Sequence, residues 1–309
     1  PYKQAVIPFC AELSDTAKAV GSVNTLVKRP DGTLYGDNTD VYGFAQMAQS
    51  AGIAFVGKKA LVLGSGGTSL TACHVVRQAG GTPVVISRKG ENDYQHLSRH
   101  ADAEILINAT PVGMYPNAAA APVDLALFPK LTGVLDVIYN PLRTRLLLQA
   151  EALGIPHAGG LLMLAWQAAR ARELFDGQTV RAETVLRAAA ALKREKSNLI
   201  LVGMPGCGKT LVGKRVARLL TLPFTDLDAE IAARAGKPIP QIFEQDGEAV
   251  FRALEADVIA EYGATGGRVL ATGGGAVITA ENRANLRMNG VVARLTRPLD
   301  KLKTEGRPL

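Results

Sequence analysis

Two glycine-rich loops, each following a short apolar run, constrain this 309-residue chain more than any other feature. The first, Gly64-Ser65-Gly66-Gly67, follows Lys59-Ala60-Leu61-Val62-Leu63. The second, Gly203-Met204-Pro205-Gly206-Cys207-Gly208-Lys209-Thr210, follows Asn198-Leu199-Ile200-Leu201-Val202. Each stands where a buried strand should end and a helix begin, and there unpaired backbone N–H groups and the helix dipole favour an anion. One loop has the spacing of a dinucleotide fingerprint, the other that of a nucleoside-triphosphate cradle. Two such loops on one polypeptide predict two α/β domains and two reactions.

The surrounding sequence agrees. Apolar strand candidates at 60–63, 83–86, 105–107 and 133–137 alternate with helical patterns at 70–78, 144–153 and 163–174, which predicts parallel βαβ units. Residues 1–42 are rich in polar and turn residues and too few to bury a core alone. Residues 181–196 read as a helix running into a linker. A second βαβ series starts at Ser197, with a helical stretch over 211–220.

Composition narrows the function classes. The net charge is +7, and it is spread: residues 1–195 hold 19 basic and 16 acidic side chains (+3), residues 196–309 hold 16 and 12 (+4). Aromatics are only 5%. A nucleic-acid binder concentrates its charge and interleaves aromatics, so the expectation is an enzyme of anionic small molecules with no nucleic-acid partner. No apolar run approaches the roughly 18 to 20 residues that cross a bilayer, so no membrane partner is expected. Cys10, Cys73 and Cys207 are too scattered for a disulfide framework, and a reducing cytoplasm fits best. His96 and His100 have i, i+4 spacing but no partner motif, so a surface pair is expected rather than a metal site. Trp166 is expected in the core.

At the first loop, Gly64 permits the tight turn, Gly66 lets backbone approach a pyrophosphate, and Ser69 stands where a third small residue belongs. The second strand ends at Ser87-Arg88-Lys89, with cations where an NAD site would place an acid. Arg88 and Lys89 suit a 2′-phosphate, so NADP is expected over NAD. At the second loop, backbone N–H groups would cradle phosphates, Lys209 would reach the β- and γ-phosphates, and Thr210 would ligate Mg²⁺. Cys207 is expected to be a small packing residue within that loop.

Further strings extend both sites. Pro1-Tyr2-Lys3, Val23-Asn24-Thr25, Gly36-Asp37-Asn38-Thr39-Asp40, Asn108-Ala109-Thr110-Pro111, Asp136-Val137-Ile138-Tyr139-Asn140-Pro141 and Gly160-x-x-Met163-x-x-x-Gln167 occur in unbroken order. In that order they resemble the shikimate dehydrogenases. Asp226-Leu227-Asp228, Phe251-Arg252, Thr272-Gly273-Gly274-Gly275 and Arg307-Pro308-Leu309, after the second loop, resemble the shikimate kinases. The resemblance therefore implies a fusion, dehydrogenase over 1–195 and kinase over 196–309. Its fold would be α/β: a Rossmann-type NADP-binding domain with a partial substrate domain, then a P-loop kinase domain with a parallel sheet. The implied division is a substrate-binding segment at 1–42, the Rossmann domain at 43–180 with 156–180 returning to the substrate domain, a linker at 181–196, and the kinase-like domain at 197–309. Against the family patterns, an earlier segment with a Ser-x-Ser string and the final strand and helix are missing, so both ends are expected to be truncated.

The resemblance also implies roles. Lys3 and Asp40 would be the catalytic pair of the reduction, with Asn24 on the ring hydroxyls and Tyr139 and Gln167 on substrate or cofactor. Gly64, Ser65, Gly66, Gly67, Ser87, Arg88, Lys89, Asn108, Thr110, Gly160 and Met163 would hold NADP(H), with Asn108 and Thr110 beside the nicotinamide. In the kinase, Gly203, Gly206, Cys207, Gly208, Lys209 and Thr210 would hold ATP, and Thr210 and Asp226 would hold Mg²⁺. Asp228 would bind the acceptor hydroxyls and take a proton, while Arg252 would clamp a carboxylate. Gly273, Gly274 and Gly275 would let the substrate approach, and Arg307 would belong to a mobile lid. The implied substrates are 3-dehydroshikimate and shikimate.

Taken singly, these residues have plainer readings. Lys3 could be a solvated lysine, Asp40 a helix cap, and Asp226-x-Asp228 a polar strand end. Arg252 has the spacing for a surface ion pair with Glu248 or Glu255. Two other functions stay open: a quinate dehydrogenase using NAD fused to a small-molecule kinase, and a nucleotide-binding regulatory protein with inactive sites.

Overall fold

The computed structural model describes residues 2–298, 300 and 302. Two compact units divide between Ala191 and Leu192. The first opens with a small sheet of β1 (Glu12–Leu13), β2 (Thr25–Lys28) and β3 (Leu34–Asp37), ordered β1-β3-β2, with β1 parallel and β2 antiparallel to β3. Helix α1 (Asp15–Val20) is capped by Ser14, whose hydroxyl accepts from the Ala17 N–H. Helix α2 (Thr39–Ser50) leaves β3 at once, with Asn38 as its cap. Residues 1–42, expected as a turn-rich substrate-binding segment, hold this sheet, whose strands of two to four residues are too short to show alternation in the sequence.

Strands β4 (Lys59–Leu63), β5 (Thr82–Ile86), β6 (Ile105–Asn108), β7 (Gly133–Asp136) and β8 (His157–Gly159) form a parallel sheet ordered β5-β4-β6-β7-β8. The four expected strands agree to within one residue at each end, and β8 is additional. Helices α3 (Gly67–Gln78), α4 (Arg145–Ala152) and α5 (Leu161–Asp176) complete the βαβ pattern. Both sheet faces are buried, as a parallel sheet requires. Ala60, Val62, Ile105 and Ile107 pack with Phe44 and Met47, while Leu61, Leu63 and Leu106 pack with Phe128 and Leu146. The chain winds to β5 on one side of β4 and to β6 on the other. That reversal opens a crevice at the carboxyl ends of the strands, where the first glycine loop lies.

Helix α6 (Ala182–Lys196) runs through the division between the units. In the second unit, β9 (Asn198–Val202) leads through the second glycine loop to α7 (Lys209–Leu220). There follow β10 (Phe224–Asp226), α8 (Leu227–Ala235), α9 (Ile239–Gln245), α10 (Glu248–Ala264), β11 (Val269–Ala271), α11 (Ala280–Asn289) and β12 (Gly290–Arg294). The sheet is parallel and ordered β10-β11-β9-β12, which places β9 inside it. Ile200 and Val202 face a core with Phe251, Ile259 and Leu286, and Leu201 faces Ala217 and Val269 on the other side. Among the described residues no helix is long and apolar enough to cross a membrane.

Candidate active sites

In the first unit, the crossing of α2 and α5 sets the geometry. A Cβ on Gly43 would lie 2.5 Å from the Met163 carbonyl oxygen and 3.0 Å from Gln167 Cβ, so only glycine allows the helices this approach. Tyr42 and Trp166 pack edge to face beside it, with ring centroids 5.8 Å apart. Asp40 sits one turn before Gly43, and its carboxylate meets Lys3 Nζ at 2.6 Å. The Asp40 side chain is only 12% exposed against 40% for Lys3, so the carboxylate is the buried partner that anchors a more accessible lysine. The Val23 N–H donates to the Lys3 carbonyl at 2.7 Å, which places Lys3 next to Asn24. Asn24 Oδ1 accepts from the Thr39 N–H at 2.9 Å. The Thr39 hydroxyl reaches Asn24 Oδ1 at 3.2 Å and Gln167 Oε1 at 3.3 Å. Lys3, Asn24, Asp40 and Gln167, separated by up to 164 positions in the chain, are thus drawn into one cluster.

The first glycine loop lies against this cluster. Gly64 has φ +105°, and a Cβ there would be 3.0 Å from Thr110 Cγ2, so the turn and the loop after β6 pack directly together. Gly66 caps α3 without a side-chain hydrogen bond, and the space its Cβ would take is open. The first N–H groups of a three-turn helix therefore face open space, which fits a pyrophosphate. A Cβ on Gly67 would lie 3.8 Å from Lys3 Cδ, which brings Lys3 to the mouth of that helix. Ser65 completes the turn, and Ser87 follows β5, its N–H donating to the Asn92 carbonyl. Arg88 and Lys89 stand exposed just beyond. Tyr139 is half exposed. Gly160 packs on the Val137 carbonyl, and the Met163 side chain is buried in the core with Phe44 and Leu135.

Between these walls lies a buried carboxylate that carried no assignment from sequence. Asp136, at the end of β7, is fully buried. Its Oδ1 accepts from Asn108 Nδ2 and the Ile138 N–H, each at 3.1 Å, and its Oδ2 accepts from the Thr144 hydroxyl at 2.6 Å. Burial pushes its pKa up from 3.8 to about 6, against the three hydrogen bonds that favour the charged form. Asn108 in turn accepts from the Thr110 N–H (3.0 Å) and hydroxyl (2.7 Å) through its Oδ1.

In the second unit, Gly208 caps α7 at φ +99°, a conformation suited to glycine. Gly203 and Gly206 also lie at positive φ. Lys209 is buried, and its Nζ donates to the carbonyls of Gly203 (2.7 Å) and Met204 (3.1 Å), folding the side chain over its own loop. The Thr210 hydroxyl donates to Asp226 Oδ2 at 2.7 Å, while Asp226 Oδ1 accepts from the Asp228 N–H and caps α8. A hydroxyl and a carboxylate side by side are the hard oxygen donors that fit Mg²⁺. Cys207 is half-buried and free, its sulfur against Gly203.

The glycine run after β11 draws the remaining residues together. A Cβ on Gly273 would lie 2.6 Å from Asp228 Oδ1, one on Gly274 would lie 2.6 Å from Pro205 Cδ, and one on Gly275 would lie 2.5 Å from Arg252 Nη1. The nucleotide loop, Asp228 and Arg252 therefore converge on one stretch of bare backbone. Arg252 donates from Nη1 to Glu255 Oε2 at 2.8 Å and from Nε and Nη2 to Glu248 Oε1 at 3.2 and 3.1 Å. Burial opposes its charge, but the two carboxylates outweigh this and hold its pKa above the usual value. Arg252 pairs with both glutamates, where spacing allowed either one, so the guanidinium is preset before any ligand arrives. Glu255, buried, is the partner that fixes it, and its i+3 spacing was the signal available in the sequence.

Arg307 lies outside the described residues. His96 bonds Asp93 and His100 bonds Asn92, on a surface turn. Trp166 is buried. A cleft of about 550 Å³ opens at the amino ends of β4 and β5, lined by Lys59, Thr82, Asp102, Glu104 and Lys130. It lies at the opposite end of the sheet from the glycine loop, and its Lys59–Asp102 ion pair closes at 2.6 Å.

Fold and site together define two classes in succession, an α/β dinucleotide-binding reductase and then a P-loop phosphotransferase. Over 191 residues the chain is 35% identical to the shikimate dehydrogenase (NADP(+)) of Clostridium perfringens (strain SM101 / Type A), covering 57% of this chain and 70% of that relative. A chorismate mutase/shikimate 5-dehydrogenase fusion protein from Clostridium acetobutylicum superposes with a TM-score of 0.60 at 31% identity, over 62% of this chain and 75% of that one. The shikimate 5-dehydrogenase of Thermus thermophilus, solved in complex with NADP(H) and shikimate, gives 0.56 at 33% identity, over 62% and 76%. Residues 205–307 match the family model described as Shikimate kinase. The chain belongs to the shikimate dehydrogenase family and carries a shikimate kinase domain behind it.

Proposed function

We propose that the first unit reduces the ketone of 3-dehydroshikimate with NADPH, and that the second phosphorylates the resulting shikimate from ATP. The chain is a bifunctional shikimate-pathway enzyme, and the observation that carries the residue-level reading is the Lys3–Asp40 pair at the mouth of α3. NADPH held along Gly64–Gly67, with its 2′-phosphate on Arg88 and Lys89, supplies the hydride. As the carbonyl carbon receives that hydride, negative charge grows on the oxygen, and Lys3 stabilises it and delivers a proton. Asp40, at 2.6 Å from its Nζ, holds the lysine in place. Asn24 and Gln167 hold ring hydroxyls through the cluster that Thr39 ties together.

In the second unit, Lys209 exchanges its two loop carbonyls for phosphate oxygens when ATP fills the loop. Thr210 and Asp226 would hold Mg²⁺, and the ion would neutralise phosphate charge. Asp228 orients the attacking hydroxyl and accepts its proton, and Arg252 binds the substrate carboxylate. The three free cysteines fit a cytoplasmic setting, which we include in the proposal.

A single reaction with the chain, 3-dehydroshikimate, NADPH, ATP and Mg²⁺ tests the reading. NADPH absorbance should fall and shikimate 3-phosphate should appear by mass spectrometry. NADPH oxidation that ignores 3-dehydroshikimate, or shikimate that stays unphosphorylated, overturns the corresponding half.

A further inference from the structure

We infer that Asp136 is a positioning residue for the reduction, acting through Asn108 to hold the loop over the nicotinamide end of the cofactor crevice. Three segments that sequence separates meet at its carboxylate. Asn108 ends β6, Ile138 opens the loop that carries Tyr139, and Thr144 caps α4, where its hydroxyl also accepts from the Leu147 N–H. All three point donors at one buried acceptor. Asn108 is itself fully buried, and its carboxamide can be read only one way: Nδ2 faces Asp136 and the Val112 carbonyl, so Oδ1 faces the Thr110 N–H and hydroxyl. Asp136 thereby fixes which end of Asn108 the 108–112 loop meets. That loop packs on Gly64, so its position is transmitted to the glycine turn.

A buried carboxylate is an expensive way to fill a sheet end, because desolvation disfavours its charge. An apolar residue would pack there without that cost. What the carboxylate supplies is an acceptor on both sides of the crevice floor, toward Asn108 and toward Ile138, which neighbour the two walls. This inference rests on the reading of Asn108 and Thr110 as the nicotinamide-side wall. The adenosine end, held at Arg88 and Lys89, is independent of the network. Loss of Asp136 should therefore misplace the reacting end while leaving the dinucleotide bound, and a misplacement near 1 Å costs on the order of 100-fold in rate.

The test uses the full chain, with NADPH binding by fluorescence, steady-state reduction of 3-dehydroshikimate, and thermal melting. D136A should lower kcat about 30- to 100-fold, with the NADPH Kd changed less than about threefold. D136N keeps an oxygen for Asn108 and Ile138 and should restore kcat to within about threefold of the wild type. A residue that merely supports the fold would instead lower melting temperature and NADPH affinity along with kcat in D136A. If D136A does not fold, the Thr144 pair decides: T144V should lower kcat about tenfold and T144S should not. Unchanged kcat in folded D136A, or equal kcat in T144V and T144S, overturns the inference. R88A that binds NADPH as tightly as the wild type removes the assignment of the adenosine end, and wild-type chain that binds no NADPH overturns the cofactor reading and this inference together.

Discussion

The two anion-binding loops of this chain sit at equivalent strand–helix junctions, yet their surroundings are built in opposite ways. At the first, the charged pair is already closed: Lys3 bonds Asp40 at 2.6 Å, and the loop Gly64-Ser65-Gly66-Gly67 carries no cation of its own. At the second, the cation belongs to the loop, and Lys209 waits on two carbonyls of its own turn. A dinucleotide keeps its phosphates throughout the reaction, so on the proposed function the pyrophosphate needs only the turn's own donors, and the Lys3 charge is left for the ketone. A triphosphate gives up its terminal group, so the cation must stand where charge moves. On the proposed function, the position of the lysine distinguishes a loop that only binds from a loop that reacts.

The largest effect should follow from removing the cation that moves. Lys209→Ala should lower phosphate transfer about 10³-fold, with NADPH oxidation by the same chain within about twofold. A comparable fall in both activities would mean that the units are not independent. Next in size is a pH effect confined to the first unit. The folded pKa of Asp136, about 6, lies above its unfolded value of 3.8, so the folded state binds the proton first on acidification. Its contribution to stability is fully present below about pH 4 and is lost as pH rises through about 6, a swing of up to about 3 kcal/mol. Trp166, the single tryptophan, reports unfolding of that unit. The melting temperature of D136N relative to wild type should therefore climb between pH 4.5 and 7.5, and a constant difference would contradict the burial argument. Third, Lys3→Ala should reduce ketone reduction about 10²-fold while phosphorylation of added shikimate is unchanged.

How much of this was legible depended on whether a site is coded locally. The P-loop was readable in eight consecutive residues, because each position there answers to a backbone angle or a phosphate contact. The four main strands were readable because both faces are buried and the apolar runs are continuous. The Lys3–Asn24–Asp40–Gln167 cluster was not readable from spacing, since a lysine in a turn and an aspartate in a first helical turn look like surface residues anywhere. Only the ordered resemblance singled them out, and the α2–α5 crossing at Gly43 shows how the chain unites Asp40 with Gln167. Asp136 escaped because nothing in a strand-ending aspartate announces that three donors from elsewhere will converge on it. The sheet in residues 1–42 escaped because its strands are shorter than the period they would have to display.

The smallest effect concerns Arg252, and it separates the two readings that its spacing allowed. As a plain ion pair, the arginine would be replaceable by any cation that reaches Glu248 and Glu255. As the clamp for a substrate carboxylate, it must present a planar fork to the ligand while those glutamates hold its other edge, and lysine offers one point charge instead. Arg252→Ala is the wrong probe, because it leaves buried Glu255 without its cation, a change that costs roughly 3–5 kcal/mol in comparable buried pairs and confuses folding with binding. Arg252→Lys keeps the charge beside Glu255. It should raise the KM for shikimate about tenfold, leave kcat for phosphate transfer within about threefold, and leave NADPH oxidation untouched. A variant that loses melting temperature but keeps its KM would return Arg252 to the structural reading. The preset guanidinium would then serve the α10 helix rather than the ligand, and the convergence of Gly275 on Arg252 would be a packing contact alone.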